Sequence, residues 1–179
     1  NTIPDAAELN TYDAVIIAVG AHNMELPMPV ENSHVVSAWD VLKGAEVSGT
    51  CAVLGGGLVG TETAEYLAAK GHSVIIVEMM DKIAAGESAT VMPLITKDFK
   101  EHGVTEHVNT KVREIRDNVI YATHTTDDTE ITICADTIVN ALGSKKNVFE
   151  ESGIHVPCTW IGDCSGERTA DIAAAVRSG

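Results

Sequence analysis

Basic and aromatic side chains are scarce in this chain of 179 residues. Twelve Lys and Arg stand against 26 Asp and Glu, a formal net charge of -14, and two Trp, three Tyr and two Phe are all the aromatics it has. A surface so acidic repels polyanions, and so few rings leave little for base stacking, which excludes nucleic acid and anionic membranes as expected partners. No apolar run is long enough to span a bilayer and no signal peptide is apparent, so a cytoplasmic protein is expected. The four cysteines, Cys51, Cys134, Cys158 and Cys164, form no C-x-x-C. They read as small buried or semi-buried thiols of a reducing compartment. Cys158 and Cys164 flank a strand, and a disulfide between them would need a bend that the pattern does not offer. The seven histidines are scattered with no H-x-x-x-H and no carboxylate cluster, so no metal site is expected. The length suffices for one large domain, or one complete and one partial, burying roughly 70% of the unfolded surface.

What is present is concentrated in one stretch, Cys51-Ala-Val-Leu-Gly-Gly-Gly-Leu-Val-Gly60, continuing to Ser73-Val-Ile-Ile-Val-Glu78. An apolar run ends in G-x-G-x-x-G, a helical pattern follows, and a second apolar run ends in an acid. This is the strand, turn, helix, strand order of a dinucleotide-binding unit. Gly55 permits the tight turn, and Gly57 lets backbone N–H groups approach a pyrophosphate at the positive end of the helix that opens with Leu58 and Val59. Gly60 shares a helix face with Ala64, Leu67, Ala68 and Gly71, where a missing side chain lets helix and sheet pack closely. Glu78, eighteen residues past Gly60, is placed to accept hydrogen bonds from the adenosine ribose. Its charge, beside the uncharged Met79 and with no basic residue before Lys82, favours NAD over NADP. The plain alternatives are a glycine connection and a solvated strand-end acid.

Along the rest of the chain, Asp13–Ala21 reads as a buried parallel strand stopped by Gly20. His22–Val30, with Pro27 and Pro29, reads as an extended linker. Ser37 caps a short helix that stops at Gly44. Ser88 or Thr90 is expected to cap a helix with Pro93 near its start, a buried stripe of Met92, Ile95 and Phe99, and an end at Gly103. Val104–Val108 is a third short strand, and Lys111–Arg116, Asn118–Thr123 and Glu130–Cys134 alternate as an antiparallel meander with turns at Asp117-Asn118 and 125–128. Asp136–Gly143 repeats the pattern of the first strand, an acid leading a buried run into Gly. Lys145, Lys146 and Asn147 read as a crossing between domains. Thr159–Asp163 is a strand ending in Gly162-Asp163, and a helix follows from about Glu167 with Ile172, Ala173 and Val176 on one face.

In order, D-A-V-I-I-A-V-G, V-L-G-G-G-L-V-G-T-E-T-A, I-I-V-E-M-M-D-K-I, D-T-I-V-N-A-L-G and W-I-G-D-C resemble the flavoprotein pyridine-nucleotide oxidoreductases with two dinucleotide-binding domains. The resemblance covers essentially the whole chain. S-A-W-D-V-L-K-G, E-M-M-D-K-I and G-D-C-S-G-E-R are most similar to the NADH:flavin oxidoreductases, which include 2,4-dienoyl-CoA and 2-enoate reductases. It implies an α/β fold: a three-layer ββα, Rossmann-like NAD(H) domain with an antiparallel meander at residues 30–146, inserted in a partial FAD-binding domain made of residues 1–29 and 147–179. It further implies that the first G-x-G-x-x-G, for FAD, precedes Asn1, as does the barrel with FMN and a cysteine-ligated iron–sulfur cluster, so that the chain is a fragment. By the same resemblance Asp163 bonds the ribityl or pyrophosphate part of FAD, with Gly162 beside it and the backbone of Gly20 near the same cofactor. Gly143 lies at the nicotinamide side, and Glu62 matches the acid of the family's longer glycine pattern. The plain alternatives are a dipole-stabilised acid for Asp163 and Glu62, and a turn glycine for Gly143. The expected function is NADH to FAD hydride transfer, onward to a further redox centre or an enoyl-type substrate. No catalytic side chain is named, because the cofactors carry the chemistry. A disulfide reductase or NADH oxidase of the same superfamily, or an NAD-sensing module without catalysis, are the alternatives. The expected partners are the small-molecule cofactors and the rest of the polypeptide, and a homo-oligomer is compatible with the sequence.

Overall fold

In the computed structural model, which describes residues 3–85 and 90–166, the chain crosses twice between two units. Residues Asn1–Met24 and Ser144–Gly179 make one, and Glu25–Gly143 the other. The two division points fall a few residues before those expected from sequence.

The first unit opens with a one-turn helix, α1 (Ala6–Leu9), capped by Asp5, whose carboxylate accepts the Glu8 N–H at 2.8 Å. Strand β1 (Val15–Ile17) follows, then β2 (Ala21–Asn23). The expected strand over Asp13–Ala21 is thus cut to three residues, and Ile16 within it is 68% exposed. A strand with one neighbour keeps only the pairing that neighbour supplies. The His22–Val30 linker is also corrected, since its first residues belong to β2.

In the second unit, β3 (Val30–Glu31) and β4 (Val35–Ser37) precede α2 (Ala38–Leu42). Ser37 caps α2 as expected, its hydroxyl accepting the Asp40 N–H at 3.0 Å, and Gly44 takes a positive φ of 99° just beyond the end. Then come β5 (Thr50–Leu54), α3 (Leu58–Ala69), β6 (Ser73–Val77), α4 (Met92–His102) and β7 (Thr105–His107). The meander is β8 (Thr110–Arg116), β9 (Val119–His124) and β10 (Glu130–Cys134), and β11 (Thr137–Asn140) closes the unit. At the β8–β9 turn Asp117 and Asn118 both have positive φ, 52° and 59°. This is what a two-residue hairpin of matching twist requires.

Five strands form a parallel sheet in the order β4-β11-β5-β6-β7, and β10-β9-β8-β3 form the second sheet, with β3 added parallel to β8. The alternation along β5 explains the layers. Cys51 and Val53 join Val74, Ile76 and Val139 in a core with Ala64, Leu67, Ile95 and Phe99 of the helices. Ala52 and Leu54 join Ile138, Ile115, Ile120 and Ile133 in a core beneath the meander. A parallel strand covered on both faces is apolar along its covered length, as this one is from Cys51 to Leu54. Each large side chain so buried contributes about 1.5–3 kcal/mol. Asp136, the acid ahead of β11, holds the start of β5 in place, its Oδ2 accepting the Thr50 N–H at 2.7 Å.

The α4 stripe is as read, with Ile95 and Phe99 buried, Met92 packed on the same core and Gly103 left-handed at φ 69°. Its cap is not. Val91 stands at that position with no side-chain bond, while Ser88 lies outside the described residues. Pro at the helix start removes an N–H that would otherwise need a cap. Among the cysteines, all free, Cys51 and Cys164 are buried but Cys134, at the end of an edge strand, is exposed.

The chain returns to the first unit with β12 (Ser144–Lys146), antiparallel to β2, and β13 (Cys158–Trp160), parallel to β1. The polar crossing read at Lys145–Lys146 is therefore one strand of a two-stranded ribbon. A 3₁₀ turn over Gly162–Cys164 follows, and the helix expected from Glu167 lies outside the described residues. Among the described residues no helix is long and apolar enough to cross a membrane, and no three His, Cys, Asp or Glu gather as metal ligands.

Candidate functional site

The parallel strands β5, β6 and β11 end together at one edge of their sheet, and the glycine turn leaves β5 there. Gly55 has φ 100°, and a Cβ on it would stand 2.7 Å from the carbonyl oxygen of Ala141. Two demands therefore coincide, a left-handed backbone and contact with the neighbouring strand. A Cβ on Gly60 would drive into the carbonyl oxygen of Gly55 and lie 3.3 Å from the Ala141 methyl. The close packing of helix on sheet expected at Gly60 is made here against the turn that leaves β5 and against Ala141, just after β11. Gly57 differs: its φ of -70° suits any residue and a Cβ would meet nothing within 4 Å. Space is open on this side of the turn, where the N-terminus of α3 begins without a side-chain cap. The first N–H groups of a helix have no partner within it, so those of Leu58, Val59 and Gly60 converge with the helix dipole on that space.

Gly55, Gly57, Leu58, Val59, Glu78, Met79 and Gly143 all line one cleft of about 510 Å³. Gly60 stands behind it. Such a volume is ordinary for a cofactor site, and a largely apolar wall with few polar groups is the usual lining. Gly143, at φ 106° with open space about its Cα, ends the turn that Asn140 secures by accepting the Leu142 N–H at 3.2 Å. Glu78 does more than the motif implies. One carboxylate oxygen accepts the Gly56 N–H at 2.6 Å and the other the Met80 N–H at 2.7 Å, so it clamps the glycine turn to the end of β6. A carboxylate has about four lone-pair sites, which leaves acceptor capacity for a ribose hydroxyl.

Sequence reasoning missed several contributors. Gly56 is one: a Cβ there would lie 2.7 Å from Ile83, and its carbonyl accepts the Ala84 N–H at 2.6 Å, seating the segment after β6 on the turn. Only its place inside the motif could have flagged it. Pro27 and Met28, read as linker, and Thr110, Lys111 and Val112 of β8 also line the cleft. Nothing in their local pattern reports a position set by the meander's return across the sheet. Glu62 is exposed and lies beyond the first turn of α3, which contains no acid.

The other predicted residues belong to the first unit. β1 and β13 run parallel, Ile17 beside Trp160, and the Ile161 N–H donates to the Ile17 carbonyl at 3.0 Å. Both strands exit at the same end, which puts Gly20 and Gly162-Asp163 at one edge. Gly20 and Gly162 have φ of 69° and 67°. Asn147 fixes the Gly20 turn, its N–H donating to the Gly20 carbonyl at 2.9 Å and its Nδ2 to the Val19 carbonyl at 2.7 Å. Buried Cys164 directs its Sγ at the carbonyls of Ile161 and Ile17, 3.1 and 3.5 Å away.

Residues 3–179 match the profile of the family described as pyridine nucleotide-disulphide oxidoreductase. Over 176 residues the chain is 43% identical to a bilirubin reductase of Mediterraneibacter gnavus, covering 93% of this chain and 26% of that protein. It is 34% identical over 156 residues to an NADH oxidase of Thermoanaerobacter brockii, covering 80% and 24%. The fold matches that of 2-naphthoyl-CoA reductase with a TM-score of 0.85 at 23% identity, over 99% of this chain and 28% of that one. The chain thus spans about a quarter of the length of these proteins.

Proposed function

Because the chain belongs to the pyridine nucleotide-disulphide oxidoreductase family, we propose that it is the NADH-binding part of a flavoprotein oxidoreductase, flanked by two pieces of the FAD-binding domain. The observation that carries the reading is the uncapped start of α3 facing open space at Gly57, within the cleft that Glu78 borders. An anion fits there because N–H groups and dipole point at it and no side chain occupies the position.

In this reading the N–H groups of Leu58, Val59 and Gly60 hold the pyrophosphate, and Glu78 keeps the turn in shape while accepting from the ribose. Gly143, bare at the end of its strand, admits the nicotinamide end. Gly20, Gly162 and Asp163 border the flavin. When bound, NADH supplies a hydride and FAD receives it. The chain's own residues orient the nucleotide and shield its apolar faces, and none of them acts as an acid or base. The rest of the polypeptide completes the FAD site and holds the next acceptor, with FMN and an iron–sulfur cluster as its centres and an enoyl-type bond as its target. The similarity to proteins named as a bilirubin reductase and a 2-naphthoyl-CoA reductase supports reduction of a conjugated substrate. The free thiols agree with a cytoplasmic setting.

The test is a fluorescence titration of the 179-residue chain with NADH. Binding between about 1 μM and 1 mM is expected, the span of working enzyme sites, and Glu78→Ala should weaken it about fivefold or more by removing acceptor and clamp together. If Glu78→Ala binds NADH as the unmodified chain does, Glu78 is merely the acid at the end of its strand.

A further inference from the structure

Among the described residues that line the cleft, one side chain is cationic, Lys111, and one is a carboxylate, Glu78. Two backbone bonds place Lys111 along the cleft. The Thr110 N–H donates to the Glu78 carbonyl at 2.8 Å, and the Asn109 N–H to the Met80 carbonyl at 2.7 Å. The start of β8 is thereby stitched to the end of β6, which is the adenosine end of the proposed nucleotide site. Thr110 is 2% exposed and its hydroxyl donates to the Val108 carbonyl at 2.9 Å, so the backbone ahead of Lys111 is anchored while Lys111 itself is exposed. Among the described residues no carboxylate pairs with Lys111. Glu78, meanwhile, has both oxygens turned to the N–H groups of Gly56 and Met80. In a chain of net charge -14, an unpaired ammonium lining the same cleft as a carboxylate engaged by backbone attracts a negative group besides the one that suits the start of α3.

We propose that Lys111 is a coenzyme-specificity residue that receives the 2′-phosphate of NADPH, so that the site takes NADPH as well as NADH. The proposal rests on the nucleotide-binding reading and goes beyond the G-x-G-x-x-G and acid pattern, which taken alone points to NADH. Lys111 reaches the site from the meander, a separate strand from the one whose end decides coenzyme choice in the motif. Its ammonium is a mobile point charge on a flexible stem, suited to a phosphate whose position varies.

The experiment compares dissociation constants of NADH, NADPH and adenosine 2′,5′-bisphosphate for the unmodified chain and for Lys111→Ala, Lys111→Gln and Lys111→Arg. The side chain is exposed, so these variants fold as the parent does, and thermal unfolding verifies it. The unmodified chain should bind NADPH within about tenfold of NADH, a gap of about 1.4 kcal/mol. Lys111→Ala and Lys111→Gln should weaken NADPH and the bisphosphate about five- to tenfold while changing NADH less than twofold, and Lys111→Arg should stay near the parent. The NADPH advantage conferred by Lys111 should shrink as salt rises, since an exposed charge pair is screened. Unchanged NADPH affinity in Lys111→Ala overturns the proposal. So does an equal loss for both nucleotides, which would assign Lys111 to the pyrophosphate they share. Failure of the unmodified chain to bind either nucleotide is a different result: it removes the nucleotide-binding reading itself, and the proposal with it.

Discussion

Gly57 and Gly60, three residues apart in one motif, answer to different forces. At Gly60 the neighbour is protein, since a Cβ would enter the Gly55 carbonyl. At Gly57 the neighbour is empty space and the backbone angle is ordinary. Two alanine substitutions should therefore separate stability from binding. Gly60→Ala should cost about 1–3 kcal/mol as overpacking forces helix and turn apart. Gly57→Ala should leave stability within about 0.5 kcal/mol, the usual range away from such contacts, yet weaken NADH about tenfold because the methyl would stand in the open space proposed for the pyrophosphate. Thermal unfolding beside NADH titration reads both, and a Gly57→Ala chain with parental affinity would sink this account of the turn. The crowding at Gly55 and Gly60 was legible in the sequence because the spacing of the motif sets the turn and the helix face. The clamp from Glu78 to Gly56 was not, since it depends on where a second strand brings its last residue.

Helices α3 and α4 share one core through Leu67, Ala68, Ile95 and Phe99, and their outer edges bring carboxylates together. The Glu65 carboxyl titrates above its ordinary range, first through burial, then through its hydrogen bond to Asp98 and the charges of Asp98 and Glu62, with His102 opposing. In the window between the unfolded and the raised folded value, the native state holds a proton that the unfolded chain has lost. Stability therefore falls as pH rises through that window, and above it the like charges oppose folding. Glu65→Gln should raise Tm at pH 7 by about 1–2 °C, the size expected from a few tenths of a kcal/mol in a chain of this length. The gain should vanish once the pH drops below the ordinary glutamate range. An unchanged Tm at pH 7 would mean that Asp98 and Glu65 do not oppose one another. At this scale the long periodic elements were readable: α3, β5, β6 and the meander. Short ones such as β3, β4 and β2 were not, because two or three residues carry no period and pair only where a neighbour offers an edge.

Across the whole molecule, protection should be uneven. β5 lies between β11 and β6 with Cys51, Ala52 and Val53 at zero exposure, whereas β1 has the three residue pairs of β13 and leaves Ile16 68% exposed. Amides of Val53, Leu54 and Val74–Val77 should outlast those of Val15–Ile17 in hydrogen exchange, since local opening costs least where few apolar contacts are lost. Equal protection in β1 would mean that the first unit is as stable as the second. The sequence by itself determined the α/β class, the glycine turn, the acid at its second strand and the meander, because each of these is written in local spacing and apolar period, and the family was suggested by the resemblance of its motifs and shown by the profile match. Tertiary structure alone decided that Lys111, Thr110, Pro27 and Met28 share a cleft with Gly57, that the crossing segments pair as a ribbon, and that β1 is short. The physical reason is the same in each case: those outcomes depend on which strand lies beside which, and an edge or a cleft wall is made by residues far apart in the chain, whose own neighbours carry no sign of it.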